Sequence, residues 1–206
     1  MNVAITVADT ASLILASASP RRLELLRQIG VICRLAPQDI DESPHAGESA
    51  NALVSRLARE KAAAALQQFA DEPGAIILAS DTIVVVDDEV LGKPEDQEHA
   101  RKMLAQLSGR SHRVLTAVTV AGHARQASCV SSSSVTFRAI SEAEISRYWQ
   151  TGEPRGKAGG YAIQGLGAIF VQDLQGSYSA VMGLPLYETA QLLAEFDISC
   201  WQIETE

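Results

Sequence analysis

Sulfur and imidazole are scarce in this chain, and where they occur they do not gather. Cys33, Cys129 and Cys200 stand far apart with no C-x-x-C among them. An odd, dispersed set makes neither a disulfide framework nor a zinc site, so three small residues in or near the core are expected. His45, His99, His112 and His123 lack metal-ligand spacing. Only His112 is flanked by apolar periodicity, which predicts a structural role. No apolar run approaches the roughly 18 residues that span a bilayer. Ala16-Ser17-Ala18 has the small-residue look of a cleavage site, but no Lys or Arg precedes Arg21, so the basic region of a signal peptide is missing. The expectation is a cytoplasmic protein with no membrane partner. Positive charge is short as well: 17 basic residues face 25 acids, for a net charge of −8. Without a basic stripe, nucleic acid is excluded as a partner. If so acidic a chain handles polyphosphate, its few cations must collect in one place.

What is present is a regular alternation. Within 206 residues, enough for one domain with a substantial core, strands are predicted at 13–17, 32–36, 75–86, 89–91, 111–121, 125–138 and 168–173. Helices are predicted at 20–29, 49–70, 95–107, 141–150 and 183–196, with an acidic loop at 38–48 and a glycine-rich one at 152–167. Ser141 with Glu144 reads as a capping box. Asp87-Asp88 marks a tight turn. No Pro/Ser-rich linker divides the chain. The pattern is α/β, one mixed sheet with flanking helices. Ile14-Leu15-Ala16-Ser17 is echoed by Ile77-Leu78-Ala79-Ser80, two apolar strands that each end in a polar cluster. In α/β sheets ligands sit beyond such strand ends.

Charge placement singles out the chemistry. Ser19 and Pro20 open the first helix as N-cap and first helical residue. Arg21 and Arg22 follow in its first turn, where the helix dipole favours anions instead. Two arginines there make sense if a phosphate sits between them and the free N–H groups. Asp81 interrupts an otherwise apolar strand, and a buried carboxylate needs a cation, a metal or a catalytic role. Asp39, Asp41 and Glu42 form an acidic loop of the kind that suits Mg²⁺ or Mn²⁺ shared with phosphates. Lys61 lies on the long helix, and Lys93 follows a hairpin in Leu91-Gly92-Lys93-Pro94. Gly156 to Gly167 holds five glycines in twelve residues, which permits close backbone approach to a ligand. This segment matches neither a Walker loop nor a dinucleotide fingerprint. Gln164 within it offers a donor and an acceptor side by side, matching O4 and N3–H of uracil or thymine, and with the amide flipped, cytosine.

These residues, in this order, resemble the Maf family of nucleoside triphosphate pyrophosphatases. The matching pieces are Ala16 to Arg22, Leu57 to Ala62, Ala79-Ser80-Asp81-Thr82, Leu91 to Pro94, Gly156 to Gly167, Gly176-Ser177-Tyr178 and Val181 to Pro185. Ala117 stands where many members have Gly. The resemblance spans about residues 12–197 as a single domain, with 1–11 and 198–206 as terminal extensions. It implies an elongated, twisted mixed sheet flanked by helices, with two lobes around a central cleft, like that of inosine triphosphatases. It also implies cleavage between the α and β phosphates. By position Asp81 resembles the proton acceptor, while Arg21, Thr82 and Gln164 resemble the specificity positions of the dTTP/UTP branch. The sister branch, acting on 7-methyl-GTP, reads Phe-Lys-Ser-Glu-Gly where this chain has Tyr161-Ala162-Ile163-Gln164-Gly165.

The expected machinery is therefore Asp81, Lys61, Lys93 and Glu42. A Mg²⁺ or Mn²⁺ is expected on Glu42, helped by Asp81 or Asp41. Ser17, Arg21, Arg22, Thr82, Gln164 and Lys157 are the expected substrate contacts, with Arg22 mainly a phosphate clamp. A homodimer is a further expectation from the resemblance. Two other readings stay open on sequence: the sister-branch pyrophosphatase, and a non-catalytic nucleotide-binding regulator of cell division.

Overall fold

The computed structural model describes residues 12–201; residues 1–11 and 202–206 of the expected extensions lie outside it. Seven strands form one mixed sheet: β1 (Ser12–Leu15), β2 (Arg34–Leu35), β3 (Ala75–Val86), β4 (Glu89–Leu91), β5 (Ser111–Ala121), β6 (Gln126–Phe137) and β7 (Val171–Gln175). Their order is β2-β1-β3-β5-β6-β7, with β4 folded back on β3. β1 pairs in parallel with β2 and β3, whereas β3, β5, β6 and β7 are antiparallel. The helices are α1 (Pro20–Gln28), α2 (Ala50–Gln68), α3 (Gln97–Leu107), α4 (Glu142–Gln150), α5 (Tyr178–Met182) and α6 (Leu186–Glu195). None of the described helices is long and apolar enough to cross a membrane.

The strand echo is spatial. Ile14 lies beside Ile77 and Leu15 beside Leu78. β1 stops at Leu15, short of the predicted Ser17, while β3 runs on through Asp81 to Val86. A cleft opens where one strand ends and its neighbour continues, and the two largest of the four buried clusters occupy different parts of the sheet. One gathers Leu15, Leu26, Leu78, Val120 and Leu193. The other gathers Val84, Leu104, Phe137, Tyr161 and Phe170. The long strands β3 and β5 run through both.

Local chemistry explains most boundaries. Asp87 and Asp88 both adopt positive φ, 48° and 65°, as a two-residue hairpin turn requires. Ser49 and Asp96 accept from Ala52 and His99 N–H at their helix starts, so α3 begins at Gln97 and not 95. The capping box of Ser141 and Glu144 forms with both reciprocal bonds. Other expectations fail for equally local reasons. Ser19 occupies the N-cap of α1, but its side chain does not cap. β2 is two residues long, not five. Residues Leu166–Phe170 coil into a 3₁₀ turn, which delays β7 to Val171. The last predicted helix starts late, at Leu186, because Gly183, at φ 120°, and Pro185 precede it, and the unpredicted helix α5, capped by Ser177, stands before them. The chain past 197 also stays attached, since Ile198 is buried and the Trp201 N–H donates to the Ile29 carbonyl at 2.7 Å.

Candidate active site

The break at Gly183 is what locks the arginine wall. The Gly183 carbonyl accepts from Arg22 Nε at 2.9 Å and from the Ser80 hydroxyl at 2.9 Å. Arg22 also donates to Ser17 Oγ at 3.1 Å and to Thr82 Oγ1 at 3.4 Å. Thr116 gives its proton to the Ala180 carbonyl at 2.7 Å, so at 3.1 Å it accepts from Thr82. The chain Arg22 to Thr82 to Thr116 to Ala180 ties α1, β3, β5 and α5 together. Burial lowers the Arg22 pKa, with Asp81 pulling it back up. Arg22 is thus a strut, its guanidinium held by Gly183, Ser17 and Thr82. Ser17 Oγ accepts twice, from Arg22 and from the Ser19 N–H at 3.1 Å, which leaves its own proton to donate. Arg21 sits beside this strut and lines the cleft.

Below lies a row of alternating charges. Lys61 on α2 is 8% exposed, and its Nζ lies 2.6 Å from both Asp81 Oδ1 and Glu42 Oε1. A buried ammonium demands such partners, and Asp81 inside its apolar strand has found the cation it required. Lys93 closes the row at 3.0 Å from Glu42 Oε2. Burial pushes the Glu42 pKa up, but hydrogen bonds from Lys61 and Lys93 outweigh it and hold the carboxyl at about 2. Asp41 does not join: it is exposed and accepts from the Ser43 N–H at 2.9 Å, away from the cleft. This removes it as the alternative helper to Glu42.

The facing wall is the glycine-rich loop. Tyr161 is buried with its hydroxyl 2.8 Å from His112 Nε2. His112, expected to be structural, is packed edge-on against Phe137 at 4.9 Å. Burial lowers its pKa to about 4. Gln164 and Arg155 are exposed and line the cleft, as does the half-buried Lys157. Burial lowers the Lys157 pKa, with Arg21 adding to the effect.

All ten predicted site residues line this one open cleft of about 930 Å³. Six cations face it (Arg21, Arg22, Lys61, Lys93, Arg155 and Lys157) against three acids (Asp39, Glu42 and Asp81), a surplus of three positive charges in a chain of net −8. Sequence reasoning missed Arg155, Thr116 and Gly183. Arg155 carries no motif, Thr116 is reached only across the strand register, and Gly183 reads as the start of the last helix, which begins only at Leu186.

Residues 12–196 match the family described as Maf-like protein. The chain belongs to the Maf family. Its relatives include proteins named dTTP/UTP pyrophosphatase. That of Saccharophagus degradans is 52% identical over 195 residues, 94% of this chain and 93% of that protein. That of Alkalilimnicola ehrlichii is 52% identical over 187 residues, 89% and 92% of the two chains. That of Pseudoalteromonas atlantica is 50% identical over 188 residues, 91% and 98%.

Among the described residues no group of three or more His, Cys, Asp or Glu forms a ready metal cage. The donors on offer are two carboxylates, Glu42 and Asp81, converging on one ammonium. That set fits a hard cation which takes one or two carboxylates and completes its shell with phosphate oxygens and water.

Proposed function

We propose that this Maf-family enzyme hydrolyses dTTP and UTP to the monophosphate and pyrophosphate. The surplus of cations around one cleft in an acidic protein carries the reading, because a triphosphate is the ligand that such a field concentrates. The names of relatives at about half identity support the choice of nucleotide.

In this reading the triphosphate lies along Arg21, Lys93, Lys157 and Arg155, with Arg22 holding Ser17 and Thr82 in place beside it. Lys61 occupies Asp81 Oδ1, and the other carboxylate oxygen orients a water. Asp81 takes the proton as that water forms its bond to the α phosphorus and the bridging bond to the β phosphate breaks. Pyrophosphate leaves into a field that already compensates its charge. Glu42 would hold a Mg²⁺ or Mn²⁺, with help from Asp81 only in place of its role toward the water, and the ion would supply charge neutralisation on the phosphates. Gln164 reads O4 and N3–H of the pyrimidine. The proposal carries the cytoplasm as compartment and a homodimer as assembly, the latter checked by sedimentation of the purified chain.

The test is a panel of ribo- and deoxyribonucleoside triphosphates with Mg²⁺ or Mn²⁺, scored for pyrophosphate against orthophosphate. Pyrophosphate with the monophosphate of uridine or thymidine is the expected result. Orthophosphate alone would reject α–β cleavage. Preferred turnover of 7-methyl-GTP would move the enzyme to the sister branch. Saturable binding without product would favour the regulator.

A further inference from the structure

Gln164 is exposed on a loop whose preceding residues, Tyr161 to Ile163, are buried, and the backbone on both sides of it is held by side chains from one direction. The loop follows α4, and α4 supplies the anchor. Tyr148 near the end of that helix is buried, and its hydroxyl accepts from the Ala162 N–H at 3.1 Å. The same hydroxyl donates to Glu153 Oε1 at 2.7 Å. Glu153 then accepts from two further backbone groups, the Gly167 N–H on Oε1 and the Leu166 N–H on Oε2, both at 2.9 Å. Backbone groups on both sides of Gln164 are therefore held by one Tyr–Glu pair. Tyr161, one residue earlier, is held separately by His112.

The glycines on the far side record this contact. Gly165 has φ −112°, and Gly167 is absent from the positive-φ glycines, so neither is needed for a left-handed backbone. They are needed for space. A Cβ on Gly165 would run into the Glu153 carboxylate, and one on Gly167 would lie 2.6 Å from the Tyr148 hydroxyl oxygen. Glu153 does not line the cleft and cannot touch a nucleotide there. A charged acceptor of three hydrogen bonds that serves only the base-facing loop needs a reason. Neutral side chains could cap a surface loop; a carboxylate that holds two N–H groups and a phenol in a fixed fork gives a stiffer frame.

We propose that Glu153, acting with Tyr148, is a positioning residue that holds Gln164 in register with the nucleotide base and thereby sets pyrimidine selectivity. This rests on Gln164 as the base reader. Glu153→Gln keeps the size but turns one acceptor into a donor that must face an N–H. The expected result is a KM for UTP and dTTP raised about tenfold, since small misplacement of a positioning group is enough for that. The preference for pyrimidine over purine triphosphates should narrow by a similar factor, and kcat should change far less.

A double-mutant cycle with Gln164→Ala decides the matter. If Glu153 acts through Gln164, then Glu153→Gln costs no further selectivity in the Gln164→Ala background. Two additive losses would overturn the proposal, as would unchanged selectivity in Glu153→Gln while Gln164→Ala loses it. Unchanged selectivity in Gln164→Ala itself would overturn the base-reader reading, and this proposal with it. If Glu153→Gln fails to fold, Tyr148→Phe removes only the hydroxyl that links Ala162 to the carboxylate, and it is read against the same outcomes.

Discussion

The two walls of the cleft are made by different physics. The phosphate wall is a set of charges already spent on one another, Lys61 with Asp81 and Glu42, and Lys93 with Glu42. The base wall carries Gln164 beside Arg155 and Lys157, and its backbone is held by hydrogen bonds from Tyr148 and Glu153. A wall of ion pairs can change partners when a polyanion arrives, whereas a pinned loop presents the same edge to every nucleotide. The pairs are also unequal. Both side chains of the Lys61–Asp81 pair are 10% exposed, but those of Lys93–Glu42 are 59% and 41% exposed. Exposed pairs are worth about 1 kcal/mol or less, while breaking a buried pair costs about 3–5 kcal/mol. Lys93 is the cation free to move to a phosphate, and Lys61 is the one that stays with its acids.

The largest effect should come from the phosphate wall. Asp81→Asn keeps the shape but removes the proton acceptor, and turnover should fall by about 10³-fold or more while nucleotide binding persists. Full activity in that variant would remove Asp81 from the chemistry. The next test separates the two lysines. Lys61→Met strands a buried carboxylate and should lower stability by about 3–5 kcal/mol in chemical denaturation. Lys93→Met should lower it by no more than about 1 kcal/mol, yet should raise KM for the triphosphate. Equal stability losses from the two would erase the distinction between a fixed and a mobile cation.

Much of the phosphate wall was legible in sequence because charge in an unfavourable place announces itself. Arg21 and Arg22 oppose the dipole of their own helix, and Asp81 sits in an apolar strand. What could not be read was how those charges are spent. That Lys61 meets Asp81 depends on α2 packing over β3, a long-range contact with no local signal. The tying of Arg22 to Gly183 depends on the break between α5 and α6, where the sequence predicts only the second helix and starts it at 183. The base wall was less legible still. Its glycine density was plain, but no motif in the sequence singles out Tyr148 on α4 or Glu153 in the loop after it.

The base wall should respond to pH through His112. Its imidazole is 3% exposed, leans on Tyr161 through Nε2, and has Nδ1 buried without a hydrogen-bond partner. Burial lowers the pKa to about 4, against 6.5 for the free side chain. Below pH 6.5 the unfolded chain therefore takes up a proton that the folded chain refuses. Stability should fall as pH drops from about 6.5 to about 4 and then stop falling on this account, by roughly 3 kcal/mol at most. The paired carboxylates act in a lower window. Hydrogen bonds from Lys61 and Lys93, against the opposing effect of burial, hold Glu42 at about 2, and a hydrogen bond from Arg138 holds Glu144 at about 2. Their contributions are lost between their ordinary value of 4.5 and about 2. His112 and the paired carboxylates thus act in different pH ranges. His112→Gln keeps a polar partner for the Tyr161 hydroxyl but cannot be protonated. Its stability, followed by thermal unfolding between pH 7 and pH 4.5, should decline less than that of the parent chain. Parallel declines would mean that the buried imidazole is not what makes the base wall sensitive to acid.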